Sequence, residues 1–288
     1  MLGESLLTRT KHLLKAYGLR ARKGLAQHFL VDGGVVKKII DAAGLTRSDT
    51  VVEVGPGLGV LTEELVKTAG YVIAIELDRK LAALLSERIA VKNLSVVNDD
   101  VLRTDAQALL MPLGVSEYKV VANLPYYITA PVIRHFLESS PKPRLMVLTV
   151  QREVARQITA APGNMSLLAV SVQFYGAPRV MAKVPARAFF PAPEVDSAVL
   201  RLDVYQQPKV AVDDIDVFFK LVKAGFSANR KQLINSLSHG LGWEKSEAAA
   251  LLGKAGIEPQ RRAETLSVEE WGKLYAVYRH AGDATWSR

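Results

Sequence analysis

The sequence predicts an α/β protein built on a doubly wound sheet, mostly parallel with an antiparallel edge, followed by a small all-helical C-terminal domain. Three observations carry this reading. Short apolar runs of strand length alternate with stretches of helical period through the first part of the chain. A glycine-rich turn, Gly55-Pro-Gly57-Leu-Gly59, follows the first of those runs. Strand-like runs then stop after Val204, and only helical patterns remain.

Taken in order, residues 51–54, 71–75, 94–97, 119–122 and 144–150 are apolar runs of buried-strand length. Between them, residues 60–69, 81–89 and 131–137 space their apolar side chains near the helical period. Strand alternating with helix implies a parallel sheet covered on both faces, and right-handed crossovers make it Rossmann-like. Residues 170–175 and 195–204 read as later strands, an antiparallel hairpin at one edge. Gln206, Gln207 and Pro208 read as a linker, and residues 216–226, 231–239, 244–254 and 268–280 read as helices. The expected domains are therefore 1–204, with a basic N-terminal arm, and 205–288.

Composition narrows the function. The chain of 288 residues has no cysteine, which excludes disulfides, thiolate metal sites and cysteine nucleophiles. No metal centre is expected. Apolar runs fall far short of the roughly 20 residues that a membrane helix needs. The N-terminal stretch carries Arg9, Lys11, Lys15, Arg20, Arg22 and Lys23 without a long apolar core, so it is not a secretory signal and a cytoplasmic location is expected. The net charge of +8 is unevenly spread: residues 1–30 carry six basic against one acidic side chain, whereas residues 31–130 are mildly acidic. A polyanionic partner meeting the basic parts, with no membrane involved, is the natural reading.

The first strand ends in Glu53-Val-Gly55-Pro-Gly57-Leu-Gly59, where glycines allow a tight turn and close approach of backbone to ligand. The dinucleotide fingerprint wants Gly or Ala three positions after the second glycine, and Val60 stands there. That argues against a pyrophosphate packed on the helix. The second strand ends in Glu76, whose carboxylate can accept from both hydroxyls of a ribose. A ribose without a pyrophosphate suits S-adenosylmethionine. Asp100, at the end of the third strand, is a candidate acceptor for the amino group of the cofactor's adenine, with Asp99 beside it and turn capping as the competing role.

The fourth strand ends in Asn123-Leu124-Pro125-Tyr126. An amide or carboxylate, any residue, proline and an aromatic at this strand end resemble the catalytic motif of amino-group methyltransferases. An exocyclic amine delocalises its lone pair into the purine and is a poor nucleophile. The Asn123 side-chain oxygen and the Leu124 carbonyl can accept both N–H bonds of that amine and favour a tetrahedral nitrogen with its lone pair aimed at the methyl. Pro125 fixes the local backbone. Tyr126 would stack on a base extruded from its helix, and Phe189 is the candidate second wall, with Phe190 able to exchange roles with it.

With these motifs in place the sequence resembles the KsgA family of small-subunit rRNA adenine dimethyltransferases over nearly its whole length. Gln27-His28-Phe29-Leu30 looks like the family's N-terminal cofactor motif, and residues 53–59 and 123–128 look like its glycine and catalytic loops. Gln151-Arg152-Glu153-Val154-Ala155, residues 189–198, residues 226–231 and residues 235–237 are similar to further family segments. The resemblance implies cofactor contacts at His28, Leu30, Gly55, Glu76, Asp100 and Asn123, to which Gln27, Glu53, Gly57 and Gly59 are added as motif members. It implies dimethylation of two neighbouring adenosines in a hairpin near the 3′ end of small-subunit rRNA, by a monomer acting on an assembling particle. Arg22, Lys23, Arg230 and Lys231 are the candidate RNA contacts. The sequence departs from the family where His28 replaces the usual Asn, Glu194 a frequent Lys, and Asn229 a second Arg. Three rivals remain: an Erm-type enzyme acting on large-subunit rRNA, an assembly factor whose binding outweighs its catalysis, and, more distantly, a nicotinamide dehydrogenase.

Overall fold

The computed structural model describes residues 4–19, 27–228 and 230–285. The chain forms two compact units. One runs to Ala155 and resumes over Pro178–Val204; the other comprises Arg156–Ala177 and the chain from Tyr205 onward. The segment Arg156–Ala177 thus groups with the C-terminal helices, whereas the sequence reading draws its two domains as 1–204 and 205–288.

In the first unit a seven-stranded sheet comprises β2 (Thr50–Val54), β3 (Tyr71–Ile75), β4 (Leu94–Val97), β5 (Lys119–Asn123), β6 (Leu145–Gln151), β7 (Gly176–Val184) and β9 (Ser197–Val204), in the order β4-β3-β2-β5-β6-β9-β7. Strands β2 to β6 pair in parallel, and β9 joins β6 antiparallel with Ser197 opposite Gln151 and Val199 opposite Thr149. The parallel strands bring their carboxyl ends to one edge, which is where a doubly wound sheet binds ligands. A second, two-stranded sheet pairs β1 (Phe29–Leu30) with β8 (Phe189–Phe190).

The helices of this unit are α1 (Leu6–Ala16), α2 (Gly33–Ala43), α3 (Val60–Thr68), α4 (Arg79–Arg88), α5 (Ala106–Leu110) and α6 (Thr129–Glu138), with α7 (Arg152–Ile158) leading out of it. Helix α2 starts where Asp32 accepts from the amides of Gly34 and Val35, and it stops at Gly44, which is left-handed. Its inward face, Val35, Val36 and Ile39, joins Leu61 and Leu65 of α3 over Val51, Val72, Val121, Val147 and Val199. Each such fully buried aliphatic side chain stabilises the unit by about 1.5–3 kcal/mol. Lys119 is buried on β5, yet its ammonium is satisfied: it donates to the Asp49 carboxylate at 3.0 Å and to the Ala43 and Gly44 carbonyls that end α2. A cation at a helix C-terminus is where the helix dipole favours it.

The second unit contains α8 (Leu167–Tyr175), α9 (Ile215–Gly225), α10 (Leu233–Leu241), α11 (Lys245–Lys254) and α12 (Val268–Thr285). No strand occurs among the described residues after Val204. Residues 170–175, read from the sequence as a strand, are helical in α8, whose N-cap Ser166 accepts from the Ala169 amide. The edge place expected for them is taken by β7. Phe174 stacks on Phe218 of α9 with ring centroids 4.8 Å apart and meets Phe219 edge-on at 5.3 Å. Trp271 is fully buried beside Phe226. No described helix is long and apolar enough to cross a membrane.

Candidate active site

A cleft opens at the carboxyl ends of β2, β3 and β5, with an empty volume of about 1350 Å³ including its mouth. It is floored by the loop after β2. Gly59, the helix N-cap, sits at φ +80°, and an added Cβ there would meet Leu85 at 2.5 Å and Ile89 at 3.0 Å. Gly59 therefore packs α3 against α4 and does not line the cleft, unlike Gly55 and Gly57. Gly59, read from the sequence as a member of the cofactor motif, shapes the loop from behind.

Glu76 follows β3 and is 5% exposed. One carboxylate oxygen accepts from the Gly57 amide at 3.0 Å, the other from the Asp78 amide at 2.9 Å. Burial pushes its pKa up, and these amide bonds oppose the shift. A carboxylate has about four lone-pair positions, so these amides leave acceptor capacity for a diol. Asp100 accepts from the Leu102 amide at 3.0 Å and also lines the cleft, so the capping role and the cleft-facing role coexist. Leu77 and Leu102 line the same end and stay 54% and 37% exposed. Such bare apolar surface beside carboxylates suits a flat heterocycle on a ribose. The acceptors Glu76 and Asp100, with a glycine turn that allows close approach, fit S-adenosylmethionine.

Glu53 also borders the cleft but is only 1% exposed, and the Thr62 hydroxyl donates to it at 2.6 Å. Burial pushes its pKa up to about 8, with the charge of Glu76 adding to the effect. Glu53 therefore keeps its proton to higher pH than an ordinary carboxylic acid does.

At the other end stand Asn123, Leu124, Pro125 and Tyr126, on the last residue of β5 and the 3₁₀ turn Tyr126–Ile128 that leads into α6. The Asn123 amide nitrogen donates to the His28 carbonyl at 3.1 Å. The orientation is therefore set, and the amide oxygen is left without a partner among the described residues. The Tyr126 hydroxyl is held by Ser197 of β9 at 2.7 Å, and burial pushes its pKa up, so the phenol stays neutral. His28 lies over Tyr126 with ring centroids 5.6 Å apart and 29° between planes, and its Nδ1 is 2.7 Å from the Pro191 carbonyl. That spacing requires Nδ1 to carry the proton.

Phe189 pairs with Leu30 across the small sheet, is 3% exposed and lines the cleft as well as the core. Phe190 packs instead with Phe29 and Leu58, with the Lys11 ammonium 5.3 Å above its ring. Of the two, Phe189 faces the cleft. Gln27, His28 and Leu30 line it too. Arg230 and Lys231 are exposed in the second unit, between α9 and α10. Arg22, Lys23 and Asn229 lie outside the described residues. No cluster suited to a metal ion occurs among the described residues.

Sequence reasoning missed Ser197, Thr62 and the Pro191 carbonyl as supports of the site. Ser197 and Pro191 lie within the segment 189–198 that carried the resemblance, and this was the available signal. Thr62 stands on the inward face of α3, where its 0% exposure hides a polar contact.

The model of the ribosomal RNA adenine dimethylase family matches residues 18–279. The chain belongs to this family. It is an enzyme that dimethylates adenine in ribosomal RNA with S-adenosyl-L-methionine as methyl donor. It is 52% identical over 279 residues to the ribosomal RNA small subunit methyltransferase A of Dehalococcoides mccartyi, covering 95% of this chain and 94% of that one. With the protein of the same description from Moorella thermoacetica it shares 47% over 281 residues, covering 94% and 97%. Among solved structures, a dimethyladenosine transferase from Plasmodium falciparum superposes with a TM-score of 0.75 at 25% identity, covering 88% of this chain and 98% of that one. The 23S rRNA methyltransferase ErmE gives 0.69 at 28%, covering 86% and 98%. These proteins share one fold, so the fold alone does not select the RNA.

Proposed function

We propose that this dimethylase acts on the N6 amines of two adjacent adenosines in a hairpin near the 3′ end of small-subunit rRNA, within an assembling particle. The observation that carries the reading is the identity of 52% and 47%, over almost the full chain, with proteins described as small-subunit methyltransferases. The ErmE likeness, at 28%, is weaker. We place the enzyme in the cytoplasm, acting as a monomer. Basic side chains, Arg230 and Lys231 with Arg22 and Lys23, would meet phosphates and set position, while the cleft selects adenine.

S-adenosylmethionine, when bound, supplies a methyl group on a cationic sulfur. Glu76, Asp100 and the Gly55–Gly57 turn hold that end of the cleft. Tyr126, locked by Ser197, offers a flat wall to the extruded base, and Phe189 borders the same cleft. The Asn123 side-chain oxygen and the Leu124 carbonyl accept the two N–H bonds of the amine. These acceptors draw the lone pair out of the purine and stabilise positive charge as it grows on nitrogen. The alkylated nitrogen is acidic enough to release its proton without a dedicated base.

The test offers the enzyme unmethylated small-subunit particles and naked large-subunit rRNA in parallel. Dimethyladenosine at adjacent positions of the particle, read by nucleoside mass spectrometry, is expected. Methylation of only the large-subunit RNA would establish the Erm-type reading. An Asn123→Ala chain that still supports particle maturation would favour the assembly role.

A further inference from the structure

We propose that Tyr127 is a second base-stacking surface, holding the purine that adjoins the target adenosine while the target occupies the cleft. The proposal rests on the reading of the substrate as adjacent adenosines in rRNA.

Tyr126 and Tyr127 are consecutive in one 3₁₀ turn, Tyr126–Ile128. Three residues complete such a turn, so neighbouring side chains project about 120° apart. The structure divides the pair accordingly. Tyr126 turns inward and is tied to Ser197. Tyr127 turns outward, lines the cleft and remains 52% exposed. Among the described residues no ring packs against Tyr127, and its hydroxyl has no partner. Large aromatic surface left bare at the rim of a ligand cleft is surface available to a ligand.

The chemistry of extrusion says which ligand. A base drawn out of a stack leaves its neighbour with one face uncovered, and that loss is part of the cost of extrusion. A flat aromatic side chain placed where the target leaves the strand can cover the bared face. Tyr127 adjoins the residue that receives the target, so a ring stacked on it lies one nucleotide away along the strand. A purine covers the phenol more fully than a pyrimidine does. When the first adenosine is finished, its neighbour is already held at the mouth.

The experiment uses the full chain and unmethylated small-subunit particles. Tyr127→Ala should raise KM for the particle roughly 5- to 100-fold, as expected for one lost base stack. S-adenosylmethionine affinity by calorimetry should stay as it was. Tyr127→Trp should restore KM, and Tyr127→Leu, apolar but not planar, should not. A photoreactive benzoyl-phenylalanine at position 127 should crosslink to the nucleotide beside a methylated adenosine. Wild-type KM in Tyr127→Ala, equal performance of the Leu and Trp variants, or a crosslink remote from the methylated pair would each overturn the proposal. If the wild-type enzyme does not methylate these particles, the substrate reading fails instead, and the same series on the RNA it does methylate decides the role of Tyr127.

Discussion

Asn123 can serve as an acceptor because its amide is prevented from turning. An amide offers a donor at one end and an acceptor at the other, and a free rotor would present either to the target. Donation to the His28 carbonyl fixes the choice. Asn123→Ala should lower single-turnover methylation by about 10²–10³, as when one preorganised polar partner is removed, with RNA affinity little changed. Near-normal methyl transfer would remove Asn123 from the chemistry. Glu53 gives a prediction of a different kind. Its pKa is raised to about 8 in the folded chain, above the ordinary carboxylate range. The stability tied to it is thus complete at acid pH and is lost as pH rises from that range through about 8. Glu53→Gln keeps an acceptor for Thr62 and removes the titration. Its melting temperature should exceed that of wild type at pH 8.5, by an amount equivalent to a few kcal/mol at most, and the two should converge near pH 5. Parallel curves would show that Glu53 does not titrate in this range. Residues of this kind were unequally legible. Glu76, Asn123 and Tyr126 could be read because each stands at a strand end whose position the apolar pattern marks. The partnership of Asn123 with His28 spans 95 positions and leaves no local trace.

Elements were readable where burial is one-sided. Strands β2 to β6 and helices α3, α4 and α6 announce themselves by apolar period, and their ends in the structure differ from the expected ones by a residue or two. Helix α8 does not. Its Val170, Val172 and Phe174 alternate with Ser171 and Gln173, which is the period of a strand. The alternation misleads because Phe174 and Tyr175 are both buried, and Ser171 returns its hydroxyl to the Leu167 carbonyl within the helix. The small β1–β8 sheet was invisible for another reason: each strand has two residues and finds its partner far along the chain. Gly59 shows what a motif residue does at this scale. A side chain there would be held at positive φ and pressed against Leu85. Gly59→Ala should destabilise the protein by about 2–4 kcal/mol, the combined cost of a left-handed non-glycine residue and an overpacked contact. Chemical denaturation of the variant measures this, and an unchanged midpoint would mean that α4 yields freely.

For the molecule as a whole, charge sets the terms of RNA binding. Neutralising phosphates releases counterions, so apparent affinity should fall steeply between low and physiological salt. Reversing both Arg230 and Lys231 to Glu should weaken methylation of particles by about tenfold or more and flatten the salt dependence, while calorimetry shows the cofactor bound as before. Equal salt slopes for variant and wild type would place the phosphate contacts elsewhere. The chain path has a separate consequence. The helical unit is interrupted in sequence, with Arg156–Ala177 donated from within the sheet domain. A chain ended at Val204 would retain Phe174 and Tyr175 but lose Phe218 and Phe219, the rings that cover them. An aromatic face would be left open to self-association. The helical unit is therefore no removable appendage: transplanting it between related enzymes requires three splice points, near 155, 178 and 204, and the intervening strands must stay with the host.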